Sequence, residues 1–499
     1  MRFPPQFRLR EAAPRPGLFA VRAVVAVSAL VLAGCASLAP SEVPASSVEL
    51  PTQWSRAPQG TVASAGAEAV ATWWRAFNDP LLSRWVEQAL QANQSLRSAQ
   101  AALQQARAQR DVTAASGAVQ VGASGTAQRS KAGDSPTGNT FRAGFDASWE
   151  PDVFGARRSS ETASEADLQA AAANLGQARV SLAAEVAVNA IQLRGYQTRL
   201  RLARDSLAKQ VESQQLTQWR VQAGLASSLD LEQARAAVEQ TRATLPALET
   251  SIQQTLNALA VLTGRAPGAL QRELAQAGDA AQLGVPQPPS QLAMRFPADA
   301  LRQRPDVRVA EQKVVAAWAR VHQADANRFP SFSLSGTLGL AAPRLGDLLD
   351  VSALTRSLLA SVSASLLDGG AARAQVRVQQ AALEQARLAH EQAVLTALQD
   401  VEDALVALDG NRERLARLEA AAEAASNAEL LARQRYASGL IDYPTLLDTQ
   451  RTLLSAQSEL ETTRATWSAD HVRLYKALGG GWTVADADRA VQAISSNTP

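Results

Sequence analysis

Few side chains in this 499-residue sequence could do chemistry on a substrate, and they are scattered along it. The one cysteine, Cys35, excludes both a disulfide within the chain and a multi-cysteine metal cluster. The three histidines, His322, His390 and His471, are too widely separated to suggest a shared zinc site. The sequence also lacks a phosphate-binding loop that continues into Lys and Ser or Thr, and it lacks a strand-borne nucleophile elbow. We therefore expect no catalytic residue, no metal site and no cofactor other than a covalent lipid.

The charge distribution excludes a second class of function. The chain has 49 Lys and Arg against 47 Asp and Glu, a formal net charge of +2, and the two signs are interspersed along the sequence. Binding to DNA or RNA phosphates requires a concentrated basic surface. We expect no nucleic acid among the partners.

The context of Cys35 gives its thiol one specific reaction. Several arginines precede an apolar run of eleven residues that ends Leu32-Ala33-Gly34-Cys35. This segment resembles a secretory signal that ends in the lipobox of bacterial lipoproteins, whose cysteine accepts diacylglycerol. Such a run covers only half of a roughly 30 Å hydrocarbon core, so it is too short to span a membrane. The resemblance implies diacylglycerol and an N-acyl lipid on Cys35, and Ala36 in place of aspartate implies sorting to the outer membrane.

The fold is expected to begin some distance after the lipid. Residues 35–70 are rich in Pro, Ser and Ala without periodicity, which is typical of an extended arm. Asp79 and Pro80 then supply a helix N-cap and a first-turn proline. Apolar residues at helical spacing predict a helix from there to about Gln109.

Two later segments change to the alternation of β-strands, and each is predicted to form a hairpin. The alternating apolar residues and glycines are Val119, Val121, Ala123, Phe141, Ala143, Phe145, Ala147 and Trp149 in the first, and Phe332, Leu334, Gly336, Leu338, Leu340, Leu358, Ala360, Val362, Ala364 and Leu366 in the second. Each strand has roughly ten residues, about the length that a tilted strand needs to cross a bilayer. Four strands cannot close a barrel, for which about eight are needed, whereas three chains would supply about twelve.

The two halves of the sequence repeat each other at one constant offset. Gly155 matches Gly370, and Gly224 matches Gly439. Neither half has a proline between its two glycines, and the length of these intervals predicts two helices about 100 Å long. Helices of this length need partner helices, and sevenfold spacing of apolar residues predicts a coiled coil. We interpret the chain as a tandem duplication of helix, hairpin, long helix, tight turn and return helix.

Both long helices are predicted to end at a glycine turn. Gly224 and Gly439 stand where glycine commonly forms a left-handed cap. Return helices are expected over about 228–263 and 443–478, with a kink at Pro246 in the first. The proline-rich residues 265–296 are interpreted as an irregular linker.

Four short stretches within this frame resemble one known family. They are Trp73-Trp74 with Phe77-Asn78-Asp79-Pro80-Leu81, Trp149-Glu150 through Phe154-Gly155, Arg304-Pro305-Asp306-Val307 with Ala310-Glu311, and Ala477-Leu478-Gly479-Gly480-Gly481-Trp482. In this order they resemble the TolC-like outer membrane factor family, in its lipoprotein (NodT/OprM-like) branch that serves tripartite efflux systems of the RND type. The resemblance extends from about Thr72 to Trp482.

The resemblance implies a mainly α fold with a small β part: a homotrimer with a twelve-stranded barrel in the outer membrane and a long antiparallel coiled-coil α-barrel projecting into the periplasm. It also implies a periplasmic adaptor (membrane fusion) protein and an inner-membrane RND-type pump as partners. The adaptor-binding tips would be Arg220, Gly224, Leu225, Asp230, Arg435, Gly439, Leu440 and Asp442. For the two arginines, compensation of the helix dipole is an equally open role.

A gate is implied in the same way. Matching Tyr436, Tyr443 and Leu446 to the family pattern places an acidic ring at Asp448 and the neighbouring constriction at Pro444. Three carboxylates facing one axis would attract cations or a basic group of the adaptor. The alternative for Asp448 is an ordinary solvated helix carboxylate. Pro444 departs from the leucine-like residue of the family, although proline is tolerated in a first helical turn.

These expectations combine into one function. The chain is predicted to be a passive exit duct that conducts drugs or other small molecules from the periplasm to the exterior; the alternative is a type I secretion duct for polypeptides. The predicted divisions are a signal peptide at 1–34, a lipidated arm at 35–70, a first efflux repeat at 71–264, a linker at 265–296, a second repeat at 297–482 and a tail at 483–499.

Overall fold

The structure, a computed structural model, describes residues 42–43, 47–56, 70–131, 133–134, 136–276, 284–288 and 297–483. The predicted signal peptide, the lipidation site Cys35 and most of the arm and tail lie outside the described residues. The chain divides into two compact units. A strand unit consists of Ala114–Thr162 and Ala317–Leu383, and a helical unit consists of the described parts of Pro44–Thr113, Ala163–Ala316 and Glu384–Pro499.

The strand unit holds one antiparallel sheet whose four strands lie in chain order. They are β1 Gln120–Ser130, β2 Gly138–Trp149, β3 Ser331–Ala342 and β4 Leu354–Ser363. Both predicted hairpins are confirmed, and pairing of β2 with β3 joins them into a single sheet. The expected continuation of the last strand through Ala364 to Leu366 is wrong. Its partner β3 begins at Ser331, which pairs with Ser363, so later residues have no strand to pair with.

The long helices confirm the predicted duplication. The described helices are α1 Pro80–Ala92, α2 Gln94–Ala115, α3 Ala156–Gln222, α4 Ser228–Leu262, α5 Ala269–Gln276, α6 Pro297–Gln303, α7 Pro305–Ala326, α8 Ala371–Ala437 and α9 Tyr443–Ala477. Helices α3 and α8 have 67 residues each, and the return helices α4 and α9 have 35 residues each. Their boundaries follow the same constant offset as the glycines. Among the described residues, no helix combines the length and the apolar character that a membrane span needs.

Two sequence-based boundaries need correction. The first helix does not run unbroken to Gln109, because it breaks at Asn93 and resumes as α2, which continues to Ala115. The Asn93 side chain causes the break: its oxygen accepts hydrogen bonds from the amides that open α2, and its amide donates to the carbonyl of Leu262 at 2.9 Å. Within the supposedly irregular linker, α5 is helical, since its buried Leu270 packs on the core. Helix α4 continues through Pro246.

The core of the helical unit forms along α3. Leu168 and Leu193 of α3 are buried together with Trp73 and Trp85, which precede or belong to α1. At the other end of the chain, Trp482 packs so closely on Gly176 of α3 that a Cβ atom there would lie 2.7 Å from the indole. Gly176 of α3 therefore allows Trp482 to pack closely against this helix.

A buried ion pair joins the start of α1 to α3. Arg194 lies 3.3 Å from Asp79, and both side chains are almost fully buried. The other carboxylate oxygen of Asp79 accepts hydrogen bonds from the amides of Leu81 and Leu82. The predicted N-cap is confirmed, and its carboxylate is also the counter-charge of a buried arginine.

Candidate functional site

The strand pairing sorts the side chains of the sheet by polarity. One face is almost entirely apolar, and Phe145, Leu338 and Leu358 on it are 60%, 55% and 78% exposed. Its charged exceptions are Arg129 and Arg356. The opposite face carries small and polar residues, with Leu359 as its large apolar exception, and hydroxyls on it pair across β3 and β4 at 2.6 and 2.7 Å. An apolar face turned to the surroundings and a polar face behind it are typical of membrane strands.

The two turns that end the long helices have the predicted glycine caps. Gly224 has φ 74° and Gly439 has φ 77°, in the left-handed region that favours glycine. In the first turn the amide of Leu225 donates to the carbonyl of Arg220 at 2.7 Å, and in the second Leu440 donates to Arg435 at 2.9 Å. These bonds satisfy carbonyls that a helix end otherwise leaves unpaired. The backbone of the two turns is therefore equivalent.

The caps of the return helices differ between the turns. Asp230 forms a reciprocal capping box with Ser227, which precedes α4. Asp442, which precedes α9, accepts hydrogen bonds from the hydroxyl and the amide of Thr445. These two bonds lower the pKa of the Asp442 carboxyl. Both aspartates predicted as adaptor contacts thus have a local structural role as well.

The two arginines at the turns are not equivalent. Arg220 donates to the carbonyls of Tyr436 at 2.5 Å and Ala437 at 3.0 Å, the last residues of α8, and its guanidinium lies 4.5 Å from the centre of the Tyr436 ring. Arg435 is exposed and has no side-chain hydrogen bond among the described residues. Helices α3 and α4 form a first helical hairpin and α8 and α9 a second, and we call these two the hairpins from here on. Arg220 therefore links the first hairpin to the second, a role beyond compensation of the helix dipole.

A buried tyrosine cluster continues this link, and sequence reasoning assigned it no role. Tyr436 and Tyr443 have their rings edge to face with centroids 5.9 Å apart, and the Tyr436 hydroxyl lies 2.7 Å from that of Thr217 on α3. Burial raises the pKa of Tyr443 to about 12, so its hydroxyl stays neutral. A usable signal existed, because two of the four tyrosines in the chain flank the second turn.

Leu216 of α3 packs on the apolar side chains around this cluster, and two polar contacts then join α3 to α8 and α9 farther from the turns. Gln450 of α9 donates to the hydroxyl of Ser213 at 3.1 Å. The ammonium of Lys209 lies 3.9 Å from the carboxylate of Glu429 on α8. We call these three levels the polar seam, defined by Thr217 with Tyr436, Ser213 with Gln450, and Lys209 with Glu429.

The structure places the two gate residues on one exposed side of α9. Pro444 and Asp448 are one helical turn apart and exposed, whereas Tyr443, Leu446 and Leu447 between and beside them are buried. Asp448 has no hydrogen bond or ion pair among the described residues. A role at a gate would therefore depend on other copies of the chain.

Comparison with known proteins matches both halves of the duplicated chain to one family. The family model described as outer membrane efflux protein matches residues 85–265 and 296–480. The chain belongs to this family. It is an outer membrane efflux channel and not an enzyme, as predicted, because the family is one of channels.

Three relatives illustrate the match. The chain is 32% identical to the toluene efflux pump outer membrane protein TtgC of Pseudomonas putida, over 95% of this chain and 98% of that protein. It is 27% identical to the probable outer membrane lipoprotein SilC of Salmonella typhimurium, over 93% of this chain and all of that protein. The solved outer-membrane channel OprN is similar with a TM-score of 0.79 and 34% identity, over 85% of this chain and 98% of that one.

Proposed function

We propose that three copies of this chain form the duct, each anchored by lipid on Cys35. Strands β1 and β4 are edges of the four-stranded sheet, and long exposed edges of this kind need a partner. Pairing of β1 with β4 of the next copy would join three sheets into about twelve strands, enough for an open lumen. The apolar face of the sheet would then contact lipid and the polar face would line the duct.

The proposed mechanism of opening rests on one observation: hydrogen bonds join the two hairpins at their tips. Arg220 binds the end of α8, Thr217 binds Tyr436, and deeper in the seam Ser213 binds Gln450. Neutral hydrogen bonds contribute a net of about 0.5–1.5 kcal/mol and charged ones about 1.5–3 kcal/mol, so the three together contribute about 2.5–6 kcal/mol. Shifting a two-state equilibrium from mostly closed to mostly open requires about 5.5 kcal/mol. The tip is therefore held closed by an amount of free energy that a binding partner could supply.

Exposed leucines at the turns suit that partner. Leu225, Leu229 and Leu440 are 78%, 66% and 74% exposed. Clustered exposed apolar side chains are typical of protein-binding surfaces. We assign them to contact with a periplasmic adaptor protein, which couples the duct to an inner-membrane pump of the RND type. Binding with a dissociation constant near 1 μM supplies about 8 kcal/mol, which exceeds the contribution of the tip hydrogen bonds.

The gate is assigned to Asp448 and Pro444. In a trimer with α9 facing the axis, the exposed side of α9 would present three copies of each residue to the lumen. Three carboxylates at one level favour cations, as acidic rings do in cation channels. The duct carries no energy source, so drugs or other small molecules would pass down a gradient that the pump creates. The relatives named as efflux pump components favour this function over polypeptide secretion.

Conductance in planar bilayers tests the gate. The full-length protein is expected to show a small, cation-selective conductance. Asp448→Ala should lower the selectivity and raise the conductance, whereas Glu239→Ala, which removes an exposed carboxylate from α4, should leave both unchanged. Equal selectivity in all three proteins would contradict the acidic ring.

The lipid anchor is tested separately by mass spectrometry. The mature protein is expected to begin at Cys35 and to carry the mass of diacylglycerol plus one N-linked acyl chain. Cys35→Ser should lack that mass. A mature chain that retains residues before Cys35, or that has an unmodified Cys35, would contradict the proposal.

A further inference from the structure

The polar seam contains a buried carboxylate whose hydrogen bonding is incomplete. Glu429 is 3% exposed and belongs to α8. The nearest cations are Lys209, 3.9 Å from Oε2, and Arg433, 4.0 Å from Oε1, and both distances are too long for a direct hydrogen bond. Oε1 of Glu429 has no hydrogen-bond partner among the described residues. The carboxylate is therefore paired in charge and yet lacks a donor.

A second buried oxygen in the same place also lacks a donor. Gln450 is 3% exposed, and its amide nitrogen donates to Ser213, but its Oε1 has no partner among the described residues. Glu429 and Gln450 line one cavity of about 30 Å³ together with Lys209 and neighbouring residues of α3 and α9. Two buried acceptors that no described donor reaches therefore belong to residues that line one cavity.

The size of this cavity and the charges around it are those expected of a site for one water molecule. A volume of about 30 Å³ admits a water molecule and little more. The charge of the buried Glu429 is already compensated by Lys209 and Arg433, so this carboxylate does not require a further cation. Water has two hydrogen-bond donors for the two oxygens and can accept from Lys209. Buried water commonly makes about three such bonds.

We propose that this cavity is an internal hydration site, in which one water donates to Glu429 Oε1 and to Gln450 Oε1. The site joins α3 of the first hairpin to α8 and α9 of the second. The equivalent positions in the first half of the repeat are Gln214 and Arg235, so the carboxylate is particular to the second half.

The consequence for opening rests on the proposed function. A hydrated polar contact can separate with little loss, because its groups exchange one set of water bonds for another. A dry apolar contact must expose its surface to water when it separates. The hydration site would therefore make the contact between Glu429 and α3 a joint that opens and closes easily, beside the direct hydrogen bonds of Thr217 and Ser213 that hold the hairpins together.

A crystal structure of the full-length trimer, at a resolution that shows ordered water, tests the site directly. We expect one density peak within hydrogen-bond distance of both oxygens. After a thallium soak, the peak should give no anomalous signal. A thallium signal would replace the water with a cation site, and an empty cavity or direct contact between Lys209 and Glu429 would refute the site. These outcomes do not depend on whether the protein conducts.

The effect on opening is tested in bilayers with a variant that dries the joint. Glu429→Leu, which leaves the hydrogen bond between Gln450 and Ser213 in place, should lower the open probability by about tenfold, because separation would then expose apolar surface. Glu429→Gln keeps the site polar and should change it by less than about twofold. Glu423→Leu, an exposed position on α8, is the matched control. If the dried variant opened as often as the parent while the density peak was present, the site would exist but the joint would be refuted.

Discussion

The body and the tip of α3 adhere to the rest of the helical unit in different ways. Between Ala163 and Ala203, nearly all buried residues of α3 are apolar, and the one buried charge, Arg194, is paired with Asp79. Beyond Ala203 the buried residues of α3 are Gln210, Ser213 and Thr217, all polar. The same helix therefore changes from an apolar contact to one in which hydrogen bonds are added to the packing of the partly buried Leu216.

The body of α3 is therefore held more strongly than its tip. A fully buried leucine such as Leu193 contributes about 1.5–3 kcal/mol, and the body has many such residues. A neutral hydrogen bond at the tip contributes a net of about 0.5–1.5 kcal/mol and is replaced by water when it breaks. The body can thus remain folded under conditions in which the tip opens.

The two halves of the chain show a related contrast between pairs inside a hairpin and pairs between hairpins. Arg204 of α3 pairs with Glu249 of α4 at 2.7 Å. At the equivalent positions of the second half, Glu419 of α8 pairs with Arg464 of α9 at 3.0 Å, with the charges exchanged. The contact inside each hairpin is retained in both halves. The contact between hairpins is one-sided, since Arg220 makes it and Arg435 does not.

The largest predicted effect is in the body. Asp79→Ala removes the cap of α1 and leaves Arg194 buried without its counter-charge, so we expect a loss of about 3–5 kcal/mol in the free energy of unfolding. Denaturant unfolding of the detergent-solubilised protein measures it. Glu87→Ala breaks an exposed pair with Arg75 and should cost less than about 1 kcal/mol. Equal losses in the two variants would remove the distinction between a buried and an exposed pair.

A substitution at the tip is expected to reduce stability less than Asp79→Ala does, and to change the open probability more. Tyr436→Phe removes the hydroxyl that bonds to Thr217 and should cost about 0.5–1.5 kcal/mol, which corresponds to a roughly two- to tenfold rise in open probability. Tyr475→Phe alters a buried tyrosine of the body, which stacks on Trp73. Single-channel recording should find no change for the latter variant. A similar rise in both would mean that opening is not confined to the tip.

The smallest predicted effect is the pH dependence of the second turn. Hydrogen bonds from Thr445 lower the pKa of Asp442 in the folded protein, so the cap is present above the unfolded pKa of about 3.9. The stabilisation is lost as the pH falls through the lowered, folded pKa. Hydrogen exchange in the first turn of α9 should therefore accelerate, beyond its intrinsic pH dependence, only in acid below about pH 4. Asp442→Asn should abolish that acid step, and a step that persisted would assign it to another group.

Local signals predicted the long helices and their turns, whereas features that depend on contacts between distant parts of the chain were not predicted. Gly224 and Gly439 end helices through their own backbone conformation, so sequence placed both turns correctly. The break at Asn93 combines a local cap of α2 with a hydrogen bond to Leu262, far away in sequence, and only the cap could have been recognised from the sequence. The link from Arg220 to Tyr436 likewise requires α3 and α8 to lie side by side. For Asp448 the sequence gives a position on a helix face, and its role as a gate stays a prediction because other copies of the chain would complete it.

If bonds between the hairpins hold the tip closed, Arg220→Ala and Arg435→Ala should differ in their effect on opening. The two residues occupy equivalent positions in equivalent turns, and only Arg220 binds the other hairpin. In planar bilayers, Arg220→Ala should raise the open probability by about tenfold or more, since a charged hydrogen bond contributes about 1.5–3 kcal/mol, whereas Arg435→Ala should leave it unchanged. Equal effects of the two substitutions, or no effect of either, would contradict the account.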